Sequence, residues 1–361
     1  MDITKLKHKV QQHLEGKKPL VLFKKPEDKN IKGYFQKDTN CYYVSDSYNN
    51  GFVFCPFDAT EAKIIFPTSQ CEVINTSLIE ESVTGHKVPV ASIDLKLNTE
   101  DDKIRHIELV RKAKHAIDSQ FFKKVVVSRK LQYTIDQPDH FLIFQKLCQK
   151  YPEAMTYFWY HPKVGLWFGA TPELLLGNKN SYYVTTALAG TRKVDNLEVA
   201  WQSKEKEEQQ IVTDFIVQNL SKEFKNIKRI GPATVRAGNL LHLKTDIFIE
   251  EAISNNKILS IISLLHPTPA VCGLPRQAAF NFIQENEGYH RKFYTGYLGE
   301  INEGEPHKKV TLYVNLRCME IVQDQLNIYV GGGITAQSDP EKEWLETIHK
   351  SETMTKVLFS S

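Results

Sequence analysis

No apolar run in this 361-residue chain approaches the roughly 20 residues that a membrane-spanning helix needs; the longest, around Ile258 to Leu265, falls far short. An excess of either charge is also missing, since 46 basic and 43 acidic residues are mixed along the chain and leave a formal charge of +3. Without a basic stripe to neutralise a phosphate backbone, nucleic acid is not the expected partner. None of the six cysteines stands in a C-x-x-C pair. That argues against a zinc site and a disulfide framework, and for a reducing, cytoplasmic setting. The opening MDITKLKHKVQQHLEG has no secretion-type apolar core; Ile3, Leu6, Val10 and Leu14 fall at helical spacing and read as a surface helix. Runs of Pro, Gly or Ser, repeats and low-complexity segments are absent too. One domain over 1–361 is therefore expected, with a leading part of about 1–100 and a motif-bearing part of about 101–361.

What is present is 41% apolar residues, enough for a large core. Short β-prone runs open the chain (PLVLF, CYYVS, GFVFC, KIIFP), and a helix is predicted near Thr99 to Ser119. Longer strand candidates follow: KKVVVSRKLQY, MTYFWYH, GLWFG, YYVTTALAG, LHLKTDIFIEE, KVTLYVNLRCMEI and LNIYVGGG. Helical patterns fall near Asp139 to Lys150, Ala200 to Phe224, Lys257 to Leu265, Gln277 to Glu285 and Pro340 to Leu358. Many strands broken by few helices predict an α+β fold, a single layered domain with large, mainly antiparallel sheets.

Several charged residues sit where charge is costly. After Ser338-Asp339-Pro340, the helix carries Glu343, Glu346 and Lys350 at separations of three and four, on one face that continues through Met354 and Val357. A second helix repeats the pattern with Glu205 and Glu208 running into Ile211, Val212 and Phe215. Two inward carboxylate pairs suit an oxygen-ligated cation such as Mg²⁺, although surface ion pairs and a charged helix start account for the same residues. In FFKKVVVSRK, alternation places Lys124 with Phe122, Val126 and Ser128 on one face. A desolvated lysine can act as a base, or it can sit at a strand's wet end. Glu173 lies between a proline and an apolar run, where a buried carboxyl keeps its proton, or where a glutamate starts a helix or sits as a charge at a strand edge. Gly331-Gly332-Gly333 gives backbone N–H groups room near an anion, and Arg317 within an apolar strand calls for an anionic partner. His266 ends a helix before two prolines, a capping or core position.

Taken together and in order, KVVVSR, FGATPELLL, ALAGTRK, SKEKEEQ, LHPTPAVCGLP, YHRKFYTGYLGE, VNLRC and YVGGGITAQSDPEKEWLETIHKSE resemble the chorismate-utilising enzymes. Within them the likeness is to the isochorismate synthases of menaquinone and catechol-siderophore biosynthesis, over about Lys123 to Thr355. The resemblance implies two large β-sheets packed together with helices outside. It implies Mg²⁺ as cofactor and chorismate as substrate, with Lys124 activating water and Glu173 protonating the departing C4 hydroxyl. Glu208 and Glu346 match direct metal ligands, and Glu205 and Glu343 match residues supporting the metal and its waters. Arg317 and Lys350 match residues holding substrate carboxylate. Gly190, Thr191, His266, Ala270 and Tyr294 fall along the substrate's walls, and Gly331 and Gly333 in a loop of backbone donors.

The chain departs from the family at Gln209, where a histidine normally follows the metal-ligating glutamate, and at Glu300, where an aromatic is usual. Lys124, where ammonia-using relatives carry glutamine, implies water as nucleophile and no glutaminase subunit. A monomer is expected. Two other readings remain open at this level: a salicylate synthase, which shares the first step and then eliminates pyruvate, and a catalytically silent anion- or metal-binding member of the fold.

Overall fold

In β-prone runs such as LVLFK, successive side chains face opposite ways, and the structure buries both faces. It is a computed structural model and describes residues 2–45, 47–77, 99–179, 182–193, 200–237, 240–251, 257–302 and 309–359. In chain order the strands are β1 (Leu20–Lys24), β2 (Asn30–Gln36), β3 (Tyr42–Tyr43), β4 (Gly51–Cys55), β5 (Ile64–Pro67), β6 (Cys71–Ser77), β7 (Lys124–Thr134), β8 (Met155–His161), β9 (Gly165–Thr171), β10 (Leu174–Lys179), β11 (Tyr182–Lys193), β12 (Ile227–Ala237), β13 (Leu240–Ile249), β14 (Gly273–Leu274), β15 (Tyr297–Asn302), β16 (Lys309–Val314), β17 (Cys318–Val322) and β18 (Gln325–Ile334). The helices are α1 (Ile3–Glu15), α2 (Glu100–Asp118), α3 (His140–Lys150), α4 (Ser203–Leu220), α5 (Ile258–Leu265), α6 (Arg276–Asn286) and α7 (Pro340–Leu358).

The strands form two nine-stranded sheets, ordered β14-β7-β18-β17-β9-β8-β1-β2-β6 and β12-β13-β11-β10-β16-β15-β4-β5-β3. Every pairing among the described residues is antiparallel. The leading region is no appendage, because β1, β2 and β6 complete the first sheet and β3, β4 and β5 the second. Between the sheets lies an aromatic layer that joins Val21, Phe23, Trp159, Trp167 and Tyr329 of the first to Phe52, Phe54, Leu298 and Tyr313 of the second. Trp159 is fully buried there, stacked on Phe66 with ring centres 5.3 Å apart. The outer faces are covered by helices: Leu20 and Leu22 join side chains of α1, α3 and α7, while Val212, Phe215 and Ile216 of α4 pack with α5 on the second sheet. Layered α+β architecture, two large antiparallel sheets with helices outside, is the fold expected from the sequence.

Three local expectations are corrected, and some strands lie outside the expected runs. The run KVTLYVNLRCMEI is two strands, β16 and β17, belonging to different sheets, so Arg317 lies in the crossing between them and not within a strand. Its φ of +48° turns the chain from one sheet to the other. The glycine triplet is part of strand β18, with Gly331, Gly332 and Gly333 opposite Ser128, Val127 and Val126 of β7, and does not form a loop. Phe122 precedes β7 and packs with Val125 and Val127 in a core layer apart from Lys124, since strand alternation does not extend to a residue outside the strand. Strands β2, β6, β10, β12, β14 and β15 match none of the expected runs; β12, for one, is an edge strand with mostly exposed side chains and Pro232 in it, so no apolar period marks it.

Candidate active site

Two helices and four strand ends build the site. The start of α7 is set by Asp339, whose side chain accepts from Lys342 N at 2.9 Å, and by Pro340 in the first turn. The helix then turns Glu343, Glu346, Met354 and Val357 inward, the two apolar residues reaching the core under the first sheet. Gln202 starts α4 in a capping box with Glu205, whose Oε2 accepts from Gln202 N at 3.0 Å. Gly190 on β11 lets that first turn approach closely: its φ is +70°, and a Cβ there would lie 3.0 Å from Glu205 Cβ.

An open cavity of about 670 Å³ lies where these elements meet. Its wall includes Glu173, Gly190, Thr191, Glu208, Ala270, Tyr294, Arg317, Gly331, Gly333 and Lys350, ten of the fifteen residues singled out from sequence. Lys124 is fully buried at its edge, with Nζ 3.0 Å from Glu208 Oε1. Gly333 makes room for that pair, because a Cβ would fall 2.1 Å from Glu208 Oε1 and 2.9 Å from Lys124 Cε. The carbonyls of Gly331 and Gly333 accept from Lys350 Nζ at 2.8 Å and Ser338 Oγ at 3.5 Å. In a strand, N–H and C=O of one residue point the same way, so both glycines turn their N–H groups away from β7, on the side of the cavity.

The carboxyl groups divide by environment. Glu173, in the link between β9 and β10, is pinned through its backbone, since Val314 N donates to its carbonyl at 2.9 Å and its own N–H donates to Thr171 Oγ1 at 3.3 Å. Burial raises its pKa to about 8, against the pull of Lys124, Lys350 and Arg317, so the carboxyl is protonated at neutral pH. Glu343 is also raised, to about 7, by burial and by the Glu346 charge. Burial works the same way on Glu208 and Glu346, but cations win: Lys124 and Lys204 lower Glu208, and Lys350 and Lys204 lower Glu346. Lys350 Nζ lies 2.6 Å from Glu346 Oε1.

Among the described residues no three His, Cys, Asp or Glu side chains converge on one metal point. A magnesium ion does not demand this, because it keeps several waters and takes one or two carboxylates. The donor set fits: Glu208, Glu343 and Glu346 are hard oxygen donors that share the Lys204 cation, and Glu343 Oε2 is buried without a hydrogen-bond partner. Glu205 is engaged elsewhere, in the helix cap and 3.8 Å from Arg192 Nε. His266 is off the cavity wall; its Nε2 lies 3.2 Å from the carbonyls of Pro56 and Phe57 and its ring packs edge-on against Tyr297.

Gln209, the departure beside Glu208, is fully engaged with backbone and hydroxyl groups. Its Oε1 accepts from Ala189 N at 2.9 Å, and its Nε2 donates to Ala187 O and Thr245 Oγ1, both at 3.1 Å. It ties α4 to β11 and β13 and leaves the carboxylates alone. His242 was missed from sequence. It lines the cavity, its Nδ1 donates to Gly190 O at 3.1 Å, its Nε2 is buried without a partner, and burial lowers its pKa to about 3, so the ring is neutral. The available signal was a lone histidine inside the apolar run LLHLKTDIFI.

Among curated proteins, the chain is 31% identical over 198 residues to the vibriobactin-specific isochorismate synthase of Vibrio cholerae, covering 52% of this chain and 49% of that protein. It is 31% identical over 247 residues to isochorismate synthase EntC of Escherichia coli, covering 65% and 62%. The matched stretches thus span about half to three fifths of these relatives. The fold is that of MenF, the menaquinone-specific isochorismate synthase from Escherichia coli, with a TM-score of 0.75, 18% identity, and 94% and 88% of the two chains covered. The family model described as "Chorismate binding enzyme" matches residues 60–359, a span that holds every strand and helix contributing to the cavity, and the chain accordingly belongs to the chorismate-binding enzymes.

Proposed function

We propose that the protein is a magnesium-dependent isochorismate synthase, adding water at C2 of chorismate and releasing the C4 hydroxyl. The observation that carries this reading is Glu173, a fully enclosed carboxyl that keeps its proton up to about 8 while facing a cavity with Arg317 and Lys350 on its wall. Those two cations suit a dicarboxylate, and the N–H groups of Gly331 and Gly333 add neutral donors for a carboxylate or an oxyanion. Magnesium, held by Glu208 and Glu346 with Glu343 alongside, would neutralise and polarise the ring carboxylate.

In this reading Lys124, as the neutral amine once its own proton has been given up, takes a proton from the attacking water. Glu173 gives its proton to the C4 oxygen, which leaves as water while the ring double bonds shift. One water enters and one departs, so substrate and product are isomers and the enzyme runs in both directions. The test is to incubate purified protein with chorismate and Mg²⁺ and resolve the products. Isochorismate, with chorismate re-formed from it, is the expected result; pyruvate released as fast as chorismate disappears, or no turnover, overturns the reading.

A further inference from the structure

Lys204 has no role in the reaction just described, yet it sits among the groups that reaction assigns to the metal. Its side chain leaves the first turn of α4 and is only 18% exposed; Nζ donates to Glu343 Oε1 at 2.5 Å and stands 4.0 Å from Glu346 Oε2. Lys124 and Lys350 already pair with Glu208 and Glu346. Three ammonium groups thus face three carboxylates, and the cluster is close to neutral without any bound ion.

Space is kept beside these oxygens. Gly332 lies under them, where a Cβ would be 3.2 Å from Glu343 Oε2 and 3.7 Å from Glu346 Oε1. Glu343 is 1% exposed, and its Oε2 has no hydrogen-bond partner while Oε1 is taken by Lys204. A divalent cation and an ammonium cannot both rest against the same carboxylate oxygens, because their repulsion at contact distance in a buried place is large. Lysine, a point charge on a flexible stem, is the group able to move. One turn along α4, on the same side of the helix, Glu207 is solvent-exposed and accepts from Gln337 Nε2 at 3.0 Å, a carboxylate within reach of a displaced ammonium.

We propose that Lys204 is an internal counter-cation: it occupies the divalent cation's place between α4 and α7 in the metal-free protein and is displaced outward when the cation binds. It thereby sets metal affinity and holds the two helices together in the metal's absence. This rests on the reading that the α4 and α7 carboxylates hold the metal.

The experiment uses Mn²⁺ as a probe for the magnesium site, with free Mn²⁺ measured by electron paramagnetic resonance in wild type, Lys204→Met and Glu346→Gln, without substrate. Lys204→Met should bind Mn²⁺ roughly tenfold tighter, the order expected when one charge-assisted contact no longer competes. It should also melt lower than wild type without metal and regain more on saturation with Mg²⁺. Equal or weaker Mn²⁺ binding by Lys204→Met, with binding lost in Glu346→Gln, overturns the counter-cation and leaves the metal assignment standing. Wild-type affinity in Glu346→Gln removes the metal assignment and the inference with it. A measurement on wild type covers the case of a variant that does not fold: acetylation of Lys204 by an amine-reactive ester, quantified by mass spectrometry, should be several-fold faster in saturating Mg²⁺. An unchanged or slower rate overturns the proposal.

Discussion

Lys124 and Glu208 meet at 3.0 Å across the space left by Gly333, so the strand that borders the cavity also sets the clearance for its buried ion pair. Gly333→Ala places a methyl group inside that clearance. Separating the pair costs about 1–3 kcal/mol of stability, as overpacked sites do, and should lower kcat more than roughly tenfold. Thermal melting and steady-state kinetics check this, and near-wild-type kcat with an unchanged Tm would refute it.

Lys124→Ala removes the cation that first opposes the burial cost of Glu208. Turnover should fall roughly 10²-fold or more, with modest change in KM, as expected for loss of a proton acceptor. Intact turnover at saturating chorismate together with a raised KM would make Lys124 a substrate-positioning group instead.

For Glu173 the pH dependence follows from its raised pKa. In its proposed role as general acid Glu173 acts while protonated, so kcat/KM should fall as pH rises through about 8, and Glu173→Gln should lose that alkaline limb along with roughly 10²-fold of kcat. Its contribution to stability has the same sense: present in full below the ordinary value of 4.5, and lost as pH rises through about 8. A wild-type profile flat from pH 6 to 9 would count against this assignment.

Glu300 lies between the sheets, where it takes Lys25 Nζ at 2.7 Å, Lys32 Nζ at 2.5 Å and Tyr34 Oη at 2.9 Å. Burial opposes its charge, but the two lysines lower its pKa. Stability from this group is present above 4.5 and is lost as pH falls below it. Because both lysines are partly exposed, Glu300→Gln should cost about 1–3 kcal/mol, between the ranges for exposed and buried pairs. Urea unfolding at pH 7 and pH 4 should show the difference between wild type and variant shrinking at the lower pH.

Ala270 and Tyr294 are both on the cavity wall. Ala270→Thr adds a hydroxyl on that wall and should raise the share of salicylate and pyruvate among the products. A product ratio identical to wild type would show that position 270 does not bear on side-chain elimination.

Much of this was legible in the sequence because the signals were local. The helix Pro340–Leu358 was bounded correctly by an Asp-Pro start and a three-and-four spacing. Position along the chain says nothing, however, about which strands pair, and the order of the two sheets rests on contacts between distant segments. Arg317 hid the sheet crossing because a left-handed turn at arginine carries no glycine or proline to mark it. Lys204 stands in the charged start of α4, and only the approach of α7 gives it Glu343 and Glu346. Gln209 departs from the family's usual histidine, and only its hydrogen bonds to β11 and β13 show that it lies apart from the carboxylates.

The chain crosses between the sheets at Arg317, and the cavity takes Gly331 and Gly333 from one sheet, Gly190 and Thr191 from the other. A ligand seated there is a brace across the whole tertiary structure. Its binding free energy is therefore linked to global unfolding and not to the opening of any one segment. Slow exchange of amide hydrogens should spread through both sheets when substrate and metal are added, including strands such as β8 that are absent from the cavity wall.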